Sequence, residues 1–313
     1  MAFLSLLKPR CCTNPPMRRL YILLALLVSA AASAEKWSQP EYAGLLTHPD
    51  LEEVSGLAAS RAHPGLYWAQ NDGGNGSKLV VIKGNGTHVA TMDVIGAENT
   101  DWEDIDSFDL DGKHYLMVAD TGDNGGIRKT LTLYVIEEPA RLSDGEGMRP
   151  AWTIKFRWPD GARDCEATAV DAANGEVLLI SKKRVPPELF SLPLRPADGL
   201  QTARLVTTLS GIVQPTESQL KEDPAYGRYR SQISGADLSP NGRVLAVLNY
   251  HSIHLYVRAP GQDWAQSMAS RPGLLVLPWL PQAEGIAFSP DGRRLLVGSE
   301  HQPTPLLEYR VTP

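Results

Sequence analysis

The chain has little cysteine, no long apolar run and almost no helix-period patterning, and each lack excludes something. Of its three cysteines, Cys11 and Cys12 fall in or before an expected leader, which leaves Cys165 alone. No intrachain disulfide can then form, so a small disulfide-stapled scaffold is excluded. Residues 35–313 are enough to bury a core without a staple. Cys165 reads as a small buried apolar residue between strands rather than as a thiol nucleophile. The longest apolar run, Leu20 to Val28, falls short of the roughly 20 residues of a membrane span. No later segment approaches that length, so a membrane-spanning chain is not expected.

Arg18 and Arg19 precede this run and Ala32-Ser33-Ala34 follows it, the order of a secretory signal with cleavage after Ala34. Met17 offers an alternative start. An ordinary secretion route fits the pattern better than a twin-arginine one, and the expected location is periplasmic or secreted. Loss of Lys8, Arg10, Arg18 and Arg19 takes the formal charge from −6 to −10. An acidic exported chain is a poor partner for nucleic acid. A monomer is expected.

What the chain does have is a repeat. Five stretches align, beginning at Glu53, Asp101, Asp164, Gln232 and Gln282, and a second β-like run follows each. Side chains on a strand alternate, so the first and third residues of each stretch share a face. That face reads Glu53/Ser55, Asp101/Glu103, Asp164/Glu166, Gln232/Ser234 and Gln282/Glu284. Turns between first and second strands carry Asp111-Gly112, Asn174-Gly175, Asn241-Gly242 and Asp291-Gly292, which suit tight hairpins. Third strands are predicted at 78–83, 131–136, 188–192, 252–257 and 306–311, and fourth strands at 88–94, 151–157, 203–209 and 274–277.

This pattern predicts an all-β, single-domain β-propeller of four-stranded blades over residues 35–313. The fifth unit has three strands, and Glu41 to Thr47 is expected to supply its fourth and close the ring. Steps between units are 48, 63, 68 and 50 residues. The surplus falls in Glu138 to Pro150 and Gln214 to Arg230, both rich in turn formers, and neither has room for another blade. Five blades are expected, with six as the alternative.

The segments Asp101-Trp-Glu-Asp-Ile105, Asp120-Thr-Gly-Asp-Asn-Gly125, Asp164-Cys-Glu-Ala-Thr-Ala169, Ser234-Gly-Ala-Asp-Leu-Ser-Pro240 and Glu284-Gly-Ile-Ala-Phe-Ser-Pro-Asp-Gly292 together resemble a family of exported bacterial propeller proteins. Most of its members have no assigned activity. The likeness covers roughly residues 50–310. More distantly, the Ser-Pro-Asp-Gly units resemble the gluconolactonase and paraoxonase class of calcium lactonases, and the esterase-like relatives of propeller phytases. The dense metal-binding Asp motifs of true propeller phytases are not evident, so phytase chemistry is not expected.

In an antiparallel blade the start of the innermost strand lies beside the end of the second, so both polar sets converge on one mouth of the channel. The residues just after each second run are Asn71, Asp120, Lys182, Asn249 and Glu300. With Asp72, Glu103, Glu166 and Glu284 they form the predicted ligand-lining set. An oxygen-rich cluster suits a hard cation such as calcium, and no thiolate or histidine set suggests zinc. Glu103, Glu166, Asp120 and Asn249 are the candidate metal ligands. Repeated inner-strand acids can instead bond neighbouring backbone N–H groups and fix blade spacing. Lys182 reads as a structural partner of Glu166 or Glu103, with an anionic ligand as the alternative.

Other features read as structural. The Asp120 to Gly126 loop lacks the ligand spacing of an EF-hand, so a turn explains it. His251 and His254 point to opposite faces of a strand and form no metal pair. Trp68 and Trp102 are expected to pack between blades rather than stack on a sugar. No Ser-His-Asp spacing is recognisable. The leading expectation is a propeller that binds a small polar molecule or an envelope protein. The alternatives are a calcium-dependent lactonase or phosphoesterase and a protein-interaction scaffold.

Overall fold

The computed structural model describes residues 35–312. The expected leader, with Cys11, Cys12 and Met17, lies outside the described residues. Five antiparallel blades follow one another in chain order. Blade 1 comprises Val54–Ala59, Leu66–Asn71, Lys78–Lys83 and His88–Val94, and blade 2 comprises Trp102–Leu110, Lys113–Asp120, Leu131–Glu137 and Pro150–Arg157. Blade 3 comprises Ala167–Asp171, Glu176–Ile180, Glu188–Pro193 and Arg204–Thr208. Blade 4 comprises Ile233–Leu238, Val244–Asn249, Ser252–Val257 and Gly273–Val276. Blade 5 has Ala283–Phe288, Arg294–Ser299 and Thr304–Thr312, and its outer strand is Glu41–Leu46, with Leu46 opposite Thr304.

The ring is therefore five-bladed and closed by the N-terminal strand, as expected from the repeat. The innermost strand of blade 5 packs against that of blade 1, and the backbone N–H of Val54 donates to the Glu300 carbonyl at 2.9 Å across that joint. Three short additions were not expected. Lys36–Trp37 extends the closure along Thr304–Thr312. Gly147–Met148 and Gln201–Thr202 pair in parallel with the outer strands of blades 1 and 2. Each of these two comes from the connector of the next blade, so it covers an edge that would otherwise be open. The long connector after blade 3 folds a short helix, Glu217–Glu222, behind a capping box made by Thr216 and Gln219.

The core divides into five clusters, one between each pair of neighbouring blades. Strand alternation produces this division. Leu116 and Val118 face blade 1 while Met117 and Ala119 face blade 3. Trp68 and Trp102 are fully buried in the cluster between blades 1 and 2, and Cys165 is buried between blades 2 and 3. Burial pushes the Cys165 thiol up to about 12, which leaves it neutral and inert. The Asp111-Gly112 hairpin has positive φ at both residues (52° and 75°), which an Asp-Gly pair accommodates cheaply.

Each innermost strand is bonded to its own blade on one side only. Its other edge presents N–H and C=O groups that side chains of the neighbouring blade satisfy. Asp104 Oδ2 accepts from Thr168 N–H at 2.8 Å, and Asp106 accepts from Val170 N–H. Asp237 accepts from Phe288 N–H at 2.6 Å. Ser55, Ser107 and Ser234 donate to the carbonyls of Glu103, Ala59 and Ala283, each at 2.6 Å. A buried N–H left without an acceptor costs about 1–3 kcal/mol. Asp104→Ala removes acceptors from both Thr168 and Ile105, so urea denaturation should show a loss of roughly 2–4 kcal/mol. Asp104→Asn, which keeps one carbonyl acceptor, should lose less. Equal stability of wild type and Asp104→Ala would contradict this role.

Candidate ligand site at the channel mouth

Backbone pairing brings the two predicted polar sets to one end of the ring. Asn71 lies opposite Val54, Asp120 opposite Trp102 and Asn249 opposite Ile233. Lys182 N–H donates to the Asp164 carbonyl at 3.1 Å, and Glu300 N–H to that of Gln282 at 2.9 Å. A feature absent from simple alternation intervenes here. The pairing slips between Val54 and Gly56, Trp102 and Asp104, Ile233 and Gly235, and Ala283 and Ile286. In blades 1, 2 and 4 the extra residue is Ser55, Glu103 or Ser234, and in blade 5 it lies within Glu284-Gly285. A bulge at the start of these four inner strands re-aims that side chain, while the blade 3 inner strand pairs without a slip. The plain alternation expected from sequence is thus interrupted at the site.

Five carboxylates meet. Asp72, Asp101 and Glu103 place one oxygen each within 4.8 Å of one another, and so do Glu103, Asp164 and Glu166. Glu103 belongs to both groups. Two calcium–oxygen bonds of about 2.4 Å span such a separation. Glu103, Asp164 and Glu166 are buried, and Asp72 and Asp101 half-buried. The glycine-rich loops allow this crowding. A Cβ on Gly122 would overlap Glu103 Oε1 and come within 2.5 Å of Asp101 Oδ2, and one on Gly73 would overlap Asp101 Oδ1.

Three cations offset part of the charge. Lys182 Nζ pairs with Glu166 Oε1, one of the two partners the sequence offered. Lys183 Nζ lies 2.7 Å from Asp164 Oδ2, and Arg128 2.8 Å from Asp120. The compensation is incomplete. Burial, then repulsion from Asp72, Glu284 and Asp101, raises Glu103 well above its ordinary value despite Lys182. Burial, reinforced by Glu300, raises Glu284 to about 8, although Tyr250 donates to Glu284 Oε1 at 3.0 Å. Asp101 reaches about 6 through burial and the nearby Asp72. Asp72, Asp120 and Glu300 are also raised, burial being the largest cause for each. Glu166 Oε2 is buried without a hydrogen-bond partner among the described residues.

Other members of the predicted set hold the loops. Asn249 Oδ1 accepts from the N–H groups of His251 and Ser252 at 3.0 and 2.8 Å. Asn71 donates to the Asp50 carbonyl at 2.9 Å and accepts from Glu53 N–H. Asp120 accepts from Asp101 N–H at 3.0 Å as well as pairing with Arg128. Glu300 accepts from Gln282 and faces His301 at 3.5 Å. In the Asp120 to Gly126 loop, Asp123 accepts from Ile127 and Arg128 N–H, which accounts for the loop as a turn. His254 is buried, with its imidazole lowered to about 4 mainly by burial. Sequence reasoning missed Tyr250, Lys183 and Arg128. Tyr250 and Lys183 directly follow predicted mouth positions, which was the available signal.

These acids titrate above their unfolded values, so the folded chain holds more protons than the unfolded chain in that window and stability falls as pH rises. The Glu284 contribution is complete below its ordinary 4.5 and is lost as pH passes about 8. That of Asp101 fades from 3.8 through about 6. The melting temperature should therefore fall between about pH 5 and pH 8.5, by about 2–4 °C for each kcal/mol lost. Glu284→Gln should flatten the upper part of that profile. A melting temperature that climbs over the same range would contradict the assignment.

No protein-family model matches the chain, and no curated protein matches it in sequence.

Proposed function

We propose that the protein is a binding propeller whose mouth takes the positively charged part of a small polar ligand, with calcium as its simplest probe. The expected leader places that ligand, or an envelope partner presenting the same group, outside the cytoplasm. The observation that carries the reading is Glu103, a buried acid shared by two carboxylate groups whose oxygens are spaced for a hard cation. The donor set contains oxygen alone. Glu166 Oε2, buried and unpartnered, is the atom whose desolvation an incoming cation would offset.

A calcium-dependent hydrolase of the lactonase or phosphoesterase kind is the second reading. The observation favouring it is Glu284, whose carboxyl stays protonated near neutrality beside Tyr250. Such a group can serve as a general acid. Chelator-sensitive turnover of a lactone, aryl ester or phosphoester would support it, and binding without turnover would leave the binding propeller alone.

Melting temperatures with calcium and with chelator test the main reading. A ligand bound only by the native state stabilises it by about 2.7 kcal/mol at one hundred times its dissociation constant. Wild type should shift upward with calcium, and Glu103→Gln should lose most of that shift. No calcium shift in wild type, together with a more stable Glu103→Gln protein in chelator, would show that the acids are merely crowded.

A further inference from the structure

We propose that the ammonium group of Lys182 occupies the position a ligand's primary ammonium group takes, so that the mouth is an amine site closed by its own tethered cation. The inference rests on the mouth reading and narrows it to one class of ligand, primary alkylammonium ions. Four observations lead to it.

Lys182 is nine-tenths buried, and its Nζ is bonded to Glu166 Oε1. It lies 5.7 Å from the centroid of the Tyr250 ring, inside the roughly 6 Å over which an aromatic face attracts a cation. It is near enough to Glu103, Glu284, Glu300 and Asp72 to favour their charged forms. The second oxygen of its own partner, Glu166 Oε2, is buried with nothing bonded to it.

An aromatic face and carboxylates around one –NH₃⁺ make an ammonium cage, since such a group offers three N–H donors and a compact charge. A divalent metal gains from the carboxylates but has no use for the ring. The tether follows from sequence position. Lys182 comes just after the second strand of blade 3, and its N–H bonds the Asp164 carbonyl, so the backbone beneath it is fixed while the four-carbon stem can swing. A ligand amine then enters by exchange, taking the Glu166 and Tyr250 contacts as Lys182 withdraws. The neighbouring Lys183 stays on Asp164, which keeps part of the acid charge neutralised during the exchange.

Removing the tethered cation and supplying a free one tests this. Melting temperatures of wild type, Lys182→Ala and Lys182→Gln are compared in n-propylammonium, tetraethylammonium and sodium chloride at equal ionic strength, and separately in calcium chloride. The expected result is that both variants melt below wild type and that n-propylammonium restores roughly half or more of the loss. Tetraethylammonium and sodium should not restore it, and wild type should respond far less. Should Lys182→Ala fail to fold, Lys182→Gln, which keeps most of the stem's volume, carries the same readout. Equal rescue by tetraethylammonium, or variants as stable as wild type, would overturn the proposal. Rescue by calcium with none by n-propylammonium would overturn the amine assignment while leaving the mouth as a cation site. Rescue by neither would overturn both.

Discussion

Each innermost strand of this ring has one bonded edge and one open edge, and satisfying the open edge is the constraint on which the rest of the structure depends. An edge strand presents unpaired N–H and C=O groups, and once buried they must find partners. Here the partners are short side chains reaching across from the adjacent blade: Asp104, Asp106 and Asp237 as acceptors, Ser55, Ser107 and Ser234 as donors. Each bond contributes about 1 kcal/mol net, but its absence costs more than its presence gives. The five apolar clusters between blades supply the bulk of the burial, and these polar ties set the register in which the clusters meet. Asp106 of blade 2 and Asp237 of blade 4 lie close enough to interact, and burial raises both.

The mouth uses the same strands differently. At four of the inner strand starts pairing slips by a bulge; in blades 1 and 4 the extra residue, Ser55 or Ser234, is itself a tie, and in blades 2 and 5 it is not. In blade 2 that residue is Glu103, and in blade 5 the bulge holds Glu284. Acids that would have been two more inner-edge acceptors become members of a crowded cluster instead. Their values rise because burial and mutual repulsion outweigh Lys182. Perturbed acids of this kind concentrate where a protein binds or transforms something. The fold tolerates them because Gly73 and Gly122 leave room for their oxygens and because two lysines and an arginine sit within contact distance.

Much of this was legible in the sequence, for identifiable reasons. The five units show because every blade repeats a polar start, a largely apolar second run and, in four of the five, an Asp-Gly or Asn-Gly hairpin. The closing strand at Glu41–Leu46 follows from counting three strands in the last unit. The convergence of Asn71, Asp120, Lys182, Asn249 and Glu300 with Glu103, Glu166 and Glu284 follows from antiparallel pairing alone, whereas the sequence left the partner of Lys182 open between Glu166 and Glu103. The bulges were not legible, because a two-residue period carries no mark of one skipped partner. Nor were the separate duties within the set. Asn249 and Glu166 look equivalent in a list of polar residues, yet one caps a turn and the other is buried with a free oxygen. Tyr250 was overlooked because an aromatic beside an asparagine reads as packing until its hydroxyl is seen on Glu284. Asp104, Asp106 and Asp237 stood in plain view on the inner strands, and only the neighbouring backbone reveals what they hold.

Burial and mutual repulsion hold the acids of the mouth at raised values. Carbon-13 NMR titration of the glutamate carboxyl carbons reads those values directly. The account predicts one carboxyl titrating near 8, assigned to Glu284 by its absence in Glu284→Gln, and another, Glu103, well above its ordinary value. Both transitions should move to lower pH when calcium is added, because a bound cation favours the carboxylate. Glutamates that all titrate near 4.5 and ignore calcium would contradict it.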